Sequence, residues 1–383
     1  MKTTLMGYRR PDGRAGIRNY IAVVPTVLCS ASVARNIAEA TGANVFPHEG
    51  GCGQLGSEKE HTLRILEGVV SHPNIGAVLT VGLGCEQIDA EILAKKAGDK
   101  PARYLRIHDE GGNIKAVRIG IAIIEELKKE ASYAQRTPIG IDEITIATQC
   151  GSSDTGSGIA SNPAVGAMAD RLIALGGAVI IGETAGLYGA AGLVARRAAK
   201  KEIGDEIIAM TDKLEEHYKR MGHSLREANP TPGNIIGGLT TLVEKSLGGV
   251  RKGGTTRIRG VLVPGERITG KGLWVMNTSL GIGACAAADM LTSGAQILAY
   301  TTGGGNPIGS PLAPVVKITA TKRTVDKLED IIDFDASPVL LGEETIQECG
   351  SRLMEEINAV VNGKQVQAEK THQTAFAIGR VVI

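Results

Sequence analysis

Short apolar runs alternate with helical patterns along the first 131 residues of the chain, and this alternation limits the possible folds more than any other feature. Strands separated by helices favour a parallel sheet with right-handed crossovers. The predicted strands are residues 20–28, 43–47, 77–83 and 102–107, and the predicted helices are residues 32–41, 57–71, 88–97 and 114–131. We therefore predict an α/β domain with a Rossmann-like, largely parallel sheet in this part of the chain.

The same alternation resumes after a proline-containing segment at residues 136–138, which we interpret as a domain boundary. A chain of 383 residues is long enough for two domains with full cores. Further strands are predicted at residues 141–147, 178–182, 260–264, 273–276, 296–301 and 315–320, and helices at 164–175 and 189–221. The sequence thus predicts two α/β domains with largely parallel sheets, one covering residues 1–136 and the other residues 137–383.

The composition excludes several classes of partner. A net charge of +1 gives no electrostatic reason to expect nucleic acid or an anionic membrane surface, and only 3% of the residues are aromatic. The N-terminus lacks the apolar core of a signal peptide, and no apolar run reaches membrane-spanning length. We predict a cytoplasmic protein with reduced thiols, in which recurring cysteines bind metal or act in catalysis rather than form disulfides.

Four of the six cysteines lie where a predicted strand ends. Ligands of open α/β sheets bind beyond the carboxyl ends of the strands, so thiols at these points can meet. Thiolates bind zinc, iron and iron–sulfur clusters, and three of them leave one iron open to a substrate oxygen. A lone cysteine is more often a small buried apolar residue. The predicted ligands are the glycine-flanked Cys52, Cys85 and Cys150, with Cys29 as an additional candidate, whereas Cys285 and Cys349 are predicted to pack in the core.

Several segments resemble, in the same order, the catalytic core of the altronate and galactarate dehydratase family, which includes the large subunit of sulfolactate sulfo-lyase. They extend over nearly the whole chain. The segments are residues 7–14 (GYRRPDGR) with Arg18 and Asn19, 51–54 (GCGQ), 82–86 (GLGCE), 149–154 (QCGSSD), 183–184 (ET), 229–234 (NPTPGN), 238–248 (GLTTLVEKSLG) and 301–303 (TTG). The resemblance implies a lyase whose second predicted domain is catalytic.

Removal of water from a hydroxy acid is an α,β-elimination. A base takes the proton next to the carboxylate, an electrophile stabilises the enediolate, and the hydroxyl leaves protonated or bound to a metal. The expected cofactor is iron, as Fe²⁺ or as an iron–sulfur cluster with an open iron, and the expected substrate is a small anionic hydroxy acid. The alternative reaction is that of (2R)-sulfolactate sulfo-lyase, in which sulfite leaves instead of water.

Two differences from the family pattern affect this expectation. The sugar-acid dehydratases carry a small N-terminal domain, whereas this chain starts at the core, so we expect a separately encoded small SAF-like subunit, in an oligomer. The run at residues 276–283 (MNTSLGIG) also differs from the family pattern. If this run contacts the substrate, the substrate is neither altronate nor galactarate.

The candidate catalytic residues are His48, Glu86, Glu183 and Lys245. His48 titrates near neutral pH and suits a base or an iron ligand, or it is a hydrogen-bonded loop residue. Glu86, beside Cys85, is a second candidate base or ligand. Glu183 ends an apolar strand, where a charge is costly without a partner or a function. Lys245 is predicted to neutralise the substrate carboxylate, or else to lie on a solvated helix face.

A second group of residues is predicted to bind the substrate. Arg14 and Arg18 can hold a carboxylate bidentately, or instead meet a partner subunit. Asp154 can hold a substrate hydroxyl or cap the following turn. The glycine-rich turn after the strand at residues 296–301 offers backbone N–H groups for a carboxylate or sulfonate. The complete predicted set is Arg14, Arg18, Asp154, Thr184, Asn234, Thr301, Thr302 and Gly303.

The sequence leaves two other function classes to weigh against a lyase. The first strand–turn lacks a G-x-G-x-x-G run and no strand is followed by a P-loop, which is unfavourable for a nucleotide-dependent oxidoreductase. A non-catalytic scaffold subunit whose cysteines hold zinc is the other alternative. A purified protein that contains zinc, contains no iron and has no lyase activity would be such a scaffold subunit.

Overall fold

The computed structural model describes residues 4–279 and 283–380 and has the α/β architecture that the sequence predicts. In the N-terminal part, the strands are β1 (Leu5–Arg9), β2 (Ala15–Gly16), β3 (Tyr20–Pro25), β4 (Asn44–Val45), β5 (Ile75–Gly82), β6 (Ala102–Arg106) and β7 (Arg136–Ile139). The helices are α1 (Ala31–Thr41), α2 (Gly56–Ser71), α3 (Ala90–Lys95) and α4 (Asn113–Ser132).

The N-terminal sheet contains four parallel strands in the order β4-β3-β5-β6. All eight residues of β5 are buried, as expected for a central parallel strand covered on both faces. The predicted strand at 43–47 is reduced to the two residues of β4. Pro47 has no N–H group to donate to a neighbouring strand, which favours an early end.

The C-terminal part is built on a larger sheet. Its strands are β8 (Thr145–Cys150), β9 (Ala178–Ile181), β10 (Ile258–Leu262), β11 (Gly272–Met276), β12 (Ile297–Thr301), β13 (Val315–Thr319) and β14 (Phe334–Asp335). They run parallel in the order β10-β11-β9-β8-β12-β13-β14, which places β8 at the centre. The carboxyl ends of β8, β9 and β12 therefore meet at one edge of this sheet.

Helices and short turns cover both faces of the larger sheet. They are α5 (Asn162–Ala174), α6 (Ala191–Ala195), α7 (Lys201–Arg220), α8 (Leu225–Ala228), α9 (Pro232–Ile236), α10 (Leu242–Gly249), α11 (Gly283–Thr292), α12 (Lys322–Lys327), α13 (Ser337–Leu340), α14 (Ile346–Val361) and α15 (Gln367–Lys370). No helix within residues 4–279 and 283–380 is both long enough and apolar enough to span a bilayer.

A third, antiparallel sheet was not predicted. Its strand order is β2-β1-β7, and the pairing of Leu5 with Ile139 brings the start of the chain against the junction between the two larger sheets. The predicted boundary at residue 136 coincides with the start of β7. These strands were missed because two of them contain polar residues without strict alternation and the third has two residues.

Three element boundaries differ from the predictions for local reasons. Residues 141–143 form a 3-10 turn rather than the start of a strand, because the Glu143 carboxylate accepts a hydrogen bond from the Gly140 N–H group at 2.7 Å. The predicted helix at 189–221 is divided into α6 and α7. The proline-rich segment at 229–234 has a composition that predicts a rigid loop, yet α9 begins at Pro232, since proline is tolerated in the first turn of a helix.

The two larger sheets share a continuous apolar core. Phe46 and Leu66 from the N-terminal part pack in one cluster with Ala147, Met290 and Leu298 from the C-terminal part. Helix α2 packs directly against α11: His61 lies beside Asp289, and Gly68 faces Thr292 so closely that no Cβ would fit. Going from the first contact to the second, the residue number increases in both helices, so α2 and α11 run in the same direction.

Candidate active site

Cys150, Lys252 and Glu183 form a compact ionic cluster beyond the carboxyl ends of β8 and β9. Cys150 is the last residue of β8, and its Sγ lies 3.3 Å from Lys252 Nζ and 3.5 Å from Glu183 Oε2. Lys252 comes from a 3-10 turn (Val250–Gly253) that packs on α5, and its Nζ lies 3.9 Å from Glu183 Oε2. Three chemically reactive groups from distant parts of the sequence thus lie side by side.

The cluster keeps a buried amine positively charged. Lys252 is only 3% exposed. Burial alone would lower its pKa, but the negative charges of Cys150 and Glu183 act in the opposite direction and raise the pKa overall. A desolvated ammonium group in a cavity is a strong electrostatic partner for an anion.

Glu183 has an unusual backbone conformation. Its φ of 70° is left-handed, which costs about 1–3 kcal/mol for a residue with a side chain. The conformation ends β9 abruptly and directs the carboxylate back towards Cys150, whose N–H group donates to it at 3.4 Å. The side chain is 25% exposed and lines the cavity.

The cavity has a volume of about 290 Å³, at the small end of ligand-binding pockets. A second amine, that of Lys245 on α10, lines it and is held between the side-chain oxygens of Asn229 at 2.8 Å and Asn234 at 3.0 Å. The buried Asn234 in turn donates to the Ser153 carbonyl at 2.9 Å. Lys245 thus has a fixed position without a carboxylate partner in this contact, which leaves its charge for an anion.

Residues with hydroxyl groups, Thr184, Thr278 and Ser279, also line the cavity. Thr184 donates its N–H group to Thr278 Oγ1 at 3.2 Å and its hydroxyl to Asn277 Oδ1 at 2.9 Å. Ser279 donates both its N–H and its hydroxyl to Asp289 Oδ2 at 2.7 Å. Thr184 therefore lies in the cavity wall, and its role in substrate binding stays a prediction. The run at 276–283 that differs from the family pattern also contributes to this wall, although residues 280–282 lie outside the described part.

The carboxyl group that holds Ser279 is buried next to a histidine. Burial raises the pKa of Asp289 to about 7, and burial together with the nearby Arg64 charge lowers that of His61 to about 4. Asp289 Oδ1 lies 3.9 Å from His61 Nε2. At pH 5–6 the native pair is therefore neutral, whereas the unfolded chain carries a charged aspartate and a charged histidine.

Asp289→Asn is expected to change the pH dependence of stability. The Asp289 carboxyl loses its proton near pH 4 in the unfolded chain and near pH 7 in the native protein. Because the native state holds a proton that the unfolded state has released, the free energy of unfolding falls as the pH rises from 4 to 7. Relative to wild type, the variant should gain on the order of 4 kcal/mol of unfolding free energy between pH 4 and pH 7. Urea unfolding at both pH values measures this, with Asp212→Asn on the exposed face of α7 as control. An equal difference between variant and wild type at both pH values would contradict it.

A neighbouring larger cavity, of about 820 Å³, contains two more of the predicted substrate residues, Asp154 and Gly303. Asp154 accepts hydrogen bonds from the N–H and hydroxyl of Ser157 at 2.7 and 2.8 Å and a short one from the Thr321 hydroxyl, so it caps the turn after β8. A Cβ on Gly303 would lie 2.0 Å from the Asp154 carboxyl carbon, so only glycine fits. Lys245 and Asn234 also line this cavity, which connects it to the ionic cluster.

Four predicted substrate-binding residues form hydrogen bonds or ion pairs with other groups of the protein. Thr301 is buried and donates to Asn162 Oδ1 at 2.6 Å, and Thr302 is buried and accepts from the Gly305 N–H at 3.1 Å. Arg14 pairs with Asp12 and donates to the Ser71 carbonyl. Arg18 is buried against Glu369 at 2.7 Å. We therefore assign none of them to the substrate.

Two of the predicted catalytic residues hold the loops that carry the cysteines. One ring nitrogen of His48 bonds the Pro25 carbonyl at 2.8 Å and the other accepts from the Gly50 N–H at 3.1 Å, so neither is left for a substrate. Glu86 accepts from the N–H groups of residues 83–85 and from the Thr26 hydroxyl. Burial raises the pKa of Glu86, but these donors outweigh it and lower the pKa overall. Both residues are loop anchors in this structure.

The predicted metal ligands are divided between two places. Cys29, Cys52 and Cys85 are exposed at the end of the N-terminal sheet, whereas Cys150 is half-buried beside Lys252. Within the described residues, no three His, Cys, Asp or Glu side chains lie close enough to hold a single metal ion. The metal-ligand roles of these cysteines stay predictions. Cys285 and Cys349 are buried, as predicted.

Sequence reasoning missed Lys252, the residue at the centre of the ionic cluster. It lies in a run of two basic residues followed by glycines, which resembles an exposed turn. The contact with Cys150 spans 102 positions in the sequence. A useful signal was present in the neighbouring segment, because the turn continues directly from α10, which carries the predicted Lys245.

Comparisons with known proteins agree with the geometry. Residues 7–132 match the model of the D-galactarate dehydratase/altronate hydrolase second domain, and residues 141–383 match that of the D-galactarate/altronate dehydratase C-terminal domain. The (2R)-sulfolactate sulfo-lyase subunit beta of Chromohalobacter salexigens is 37% identical over 99% of this chain and 97% of that protein.

Two sugar-acid dehydratases are also similar. The altronate dehydratase of Bacillus subtilis is 33% identical over 90% of this chain and 71% of its own length. The galactarate dehydratase (L-threo-forming) of Escherichia coli is 31% identical over 94% of this chain and 73% of its own length. Together, the two domain models and these relatives account for nearly the entire chain. The chain therefore belongs to the D-galactarate/altronate dehydratase family.

Proposed function

We propose that the chain is a lyase subunit that removes water from a small sugar acid in the cavity beyond β8 and β9. The observation that carries this proposal is the buried ammonium of Lys252 beside Cys150 and Glu183, in a cavity that a second amine also lines. Two fixed positive charges suit an anionic substrate. The altronate and galactarate dehydratases among the relatives support elimination as the reaction class.

The two amines have separate roles in this proposal. Lys245, held by two asparagine oxygens, binds the substrate carboxylate. Lys252 lies deeper and faces the atoms that become negative when the proton next to the carboxylate is removed. Because it is buried, its charge interacts strongly with the enediolate and with little screening by water.

Glu183 transfers the proton. It takes the proton from the carbon next to the carboxylate, the bond from the neighbouring carbon to its hydroxyl breaks, and the same proton leaves with that hydroxyl as water. The resulting enol rearranges to a 2-keto-3-deoxy acid. Iron, which the family resemblance implies, would supply a Lewis acid for the leaving hydroxyl; of the predicted ligands Cys150 lines this cavity, whereas Cys29, Cys52 and Cys85 do not.

Sulfite elimination is a second candidate. It is favoured by the similarity to the sulfo-lyase subunit beta, which extends over 97% of that protein compared with 71–76% of the dehydratases. In this reaction the same proton is removed, and a carbon–sulfur bond breaks instead of a carbon–oxygen bond. The name of that relative also supports our proposal of a small partner subunit. A larger oligomer stays a prediction.

The reaction is tested by supplying the anaerobically purified protein, with and without a co-expressed small subunit, with aldonates, aldarates and sulfolactate. A 2-keto-3-deoxy acid identifies the dehydratase, and sulfite identifies the sulfo-lyase. Stoichiometric zinc and no product from any of these substrates would favour a scaffold subunit instead.

Glu183→Gln is expected to lower turnover by about 100- to 10,000-fold, because the variant cannot accept the proton. It should also abolish exchange of the substrate hydrogen with deuterium from solvent. Nuclear magnetic resonance of the substrate in heavy water measures the exchange. Glu49→Gln, at a carboxylate that is 77% exposed, is the matched control. Normal exchange in Glu183→Gln would show that another group is the base.

A further inference from the structure

We propose that Asp170 and Arg197 are positioning residues that hold the Lys252 ammonium beside Cys150 and Glu183. Neither Asp170 nor Arg197 is among the described residues that line the active-site cavity, so each acts through the turn that carries Lys252. Their importance for turnover rests on the proposed function. Their effect on the place of the amine can be measured without any substrate.

The backbone that follows Lys252 does not fix the position of this residue by itself. Gly253 and Gly254 come next in the chain, and Gly254 has a φ of 58°, in the left-handed region that favours glycine. The lysine side chain is also a long and flexible stem. Contacts from elsewhere in the protein are therefore needed to keep the amine at 3.3 Å from Cys150 Sγ.

Asp170, on α5, binds the donors of the segment just after the turn. Its carboxylate accepts from the N–H of Thr255 at 2.9 and 2.8 Å and from the Thr255 hydroxyl at 2.8 Å. It also accepts from the N–H and the hydroxyl of Thr256, at 2.9 and 2.7 Å. Both carboxylate oxygens are thus used to hold two consecutive residues, and hydrogen bonds to an ionised acceptor are the strong ones.

Arg197, which follows α6, binds the acceptors of the same segment. Its Nη2 donates to the Gly253 carbonyl at 2.8 Å and to the Thr256 carbonyl at 2.9 Å. Asp170 therefore meets N–H and hydroxyl groups, and Arg197 meets carbonyl groups, on either side of Gly254. We call these two residues the clamp.

Helix α5 and the turn approach each other too closely for side chains between them. A Cβ on Gly166 of α5 would lie 2.1 Å from the Arg251 carbonyl oxygen. A Cβ on Gly254 would lie 2.4 Å from Asp170 Oδ1. The turn is therefore held in direct contact with α5.

The clamp joins Lys252 to the part of the fold that carries its thiol partner. Helix α5 comes after β8 in the chain, and Cys150 is the last residue of β8. Both members of the Cys150–Lys252 contact are thus attached to one βα unit. Because a displacement of about 1 Å can cost a catalytic group about 100-fold in rate, a looser turn should lower turnover.

Acetylation by acetic anhydride, followed by mass spectrometry, measures how firmly Lys252 is held. The buried amine should react slowly in wild type. In Asp170→Asn it should react about 5- to 30-fold faster, because the loss of hydrogen bonds to a charged group makes local opening more frequent. Lys245 is the internal reference, since its asparagine partners at 2.8 and 3.0 Å are unchanged. Asp89→Asn is the matched control, because Asp89 also accepts a backbone N–H, at 2.9 Å, but in the N-terminal part.

Turnover gives a second measurement. Asp170→Asn should lower kcat by about 10- to 100-fold with little change in KM, and Arg197→Met should act in the same direction. In the Lys252→Met background, Asp170→Asn should change kcat by less than about twofold, because the charge that it positions is already absent. Thr256→Val is a milder variant that removes the 2.7 Å hydroxyl contact and keeps the backbone N–H, so it should show smaller changes of the same kind.

Three results would overturn the proposal. The first is acetylation of Lys252 at the wild-type rate in both Asp170→Asn and Thr256→Val. The second is an equal rise at Lys245, which would show a general loosening of the fold. The third is a kcat loss from Asp170→Asn that is as large without the Lys252 amine as with it. Faster acetylation of Lys252 alone, with kcat unchanged or no product from any substrate, would refute the proposed function and leave the clamp established.

Discussion

Lys252→Met is expected to lower kcat by about 100- to 1000-fold while the protein remains folded. The Lys252 ammonium is buried, and it is the positive charge closest to Cys150 Sγ, at 3.3 Å. Methionine has a similar length and tolerates burial, so the packing against α5 is retained. The variant loses the charge that stabilises the enediolate, and substrate binding by Lys245 is kept. We therefore expect the loss mainly in kcat rather than in KM.

Two measurements separate a catalytic role of Lys252 from a structural one. Steady-state kinetics should show the kcat loss with little change in KM, and far-ultraviolet circular dichroism and urea unfolding should match those of wild type. Arg251→Met is the matched control, because Arg251 is the neighbouring residue on the same turn and is exposed. Wild-type turnover in Lys252→Met would exclude Lys252 from the reaction.

The strand and helix pattern of the sequence predicted most of the fold. Apolar runs such as that of β5 are buried on both faces, so they stand out from their surroundings. The strands that escaped prediction depend on pairing rather than composition. β1 is recognisable only because Leu5 pairs with Ile139 across 134 positions, and no local pattern contains that information.

The candidate site was predictable to the extent that it follows strand ends. Cys150 ends β8, and Glu183 follows the end of the neighbouring parallel strand β9 by two residues, so topology brings them together once the sheet is known. Lys245 was predicted as a site residue because it lies in a segment that resembles the family. Lys252 was not predictable, because its burial results from the packing of a short turn on α5.

Chemical type alone does not show what several charged and titratable residues contact. His48 and Glu86 have side chains suited to acid–base chemistry, yet their hydrogen bonds hold backbone loops. Arg18 has the geometry to hold a substrate carboxylate, and it does hold a carboxylate, that of Glu369. Sequence shows which group is available for pairing, but the partner depends on tertiary structure.

Arg18→Met is expected to destabilise the protein by about 3–5 kcal/mol without changing KM. The Arg18 side chain is 9% exposed, pairs with Glu369 at 2.7 and 2.9 Å, and donates to the carbonyls of Val360 and Lys364 at 2.9 and 2.8 Å. These contacts join the start of β3 to α14 and α15 near the C-terminal end. The substitution removes the Arg18 donor from a largely buried carboxylate and from two carbonyls, and such groups are costly to desolvate when a hydrogen bond is lost.

Urea unfolding measures the loss for Arg18→Met, and Arg9→Met provides the comparison. Arg9 also pairs with a carboxylate, that of Glu143, but its side chain is 42% exposed, so its pair should contribute no more than about 1 kcal/mol. The variants thus separate a buried ion pair from an exposed one in the same protein. If Arg18→Met kept its stability and instead raised KM, Arg18 would bind the substrate, as the sequence first indicated, and the placement of the site beside Lys252 would need revision.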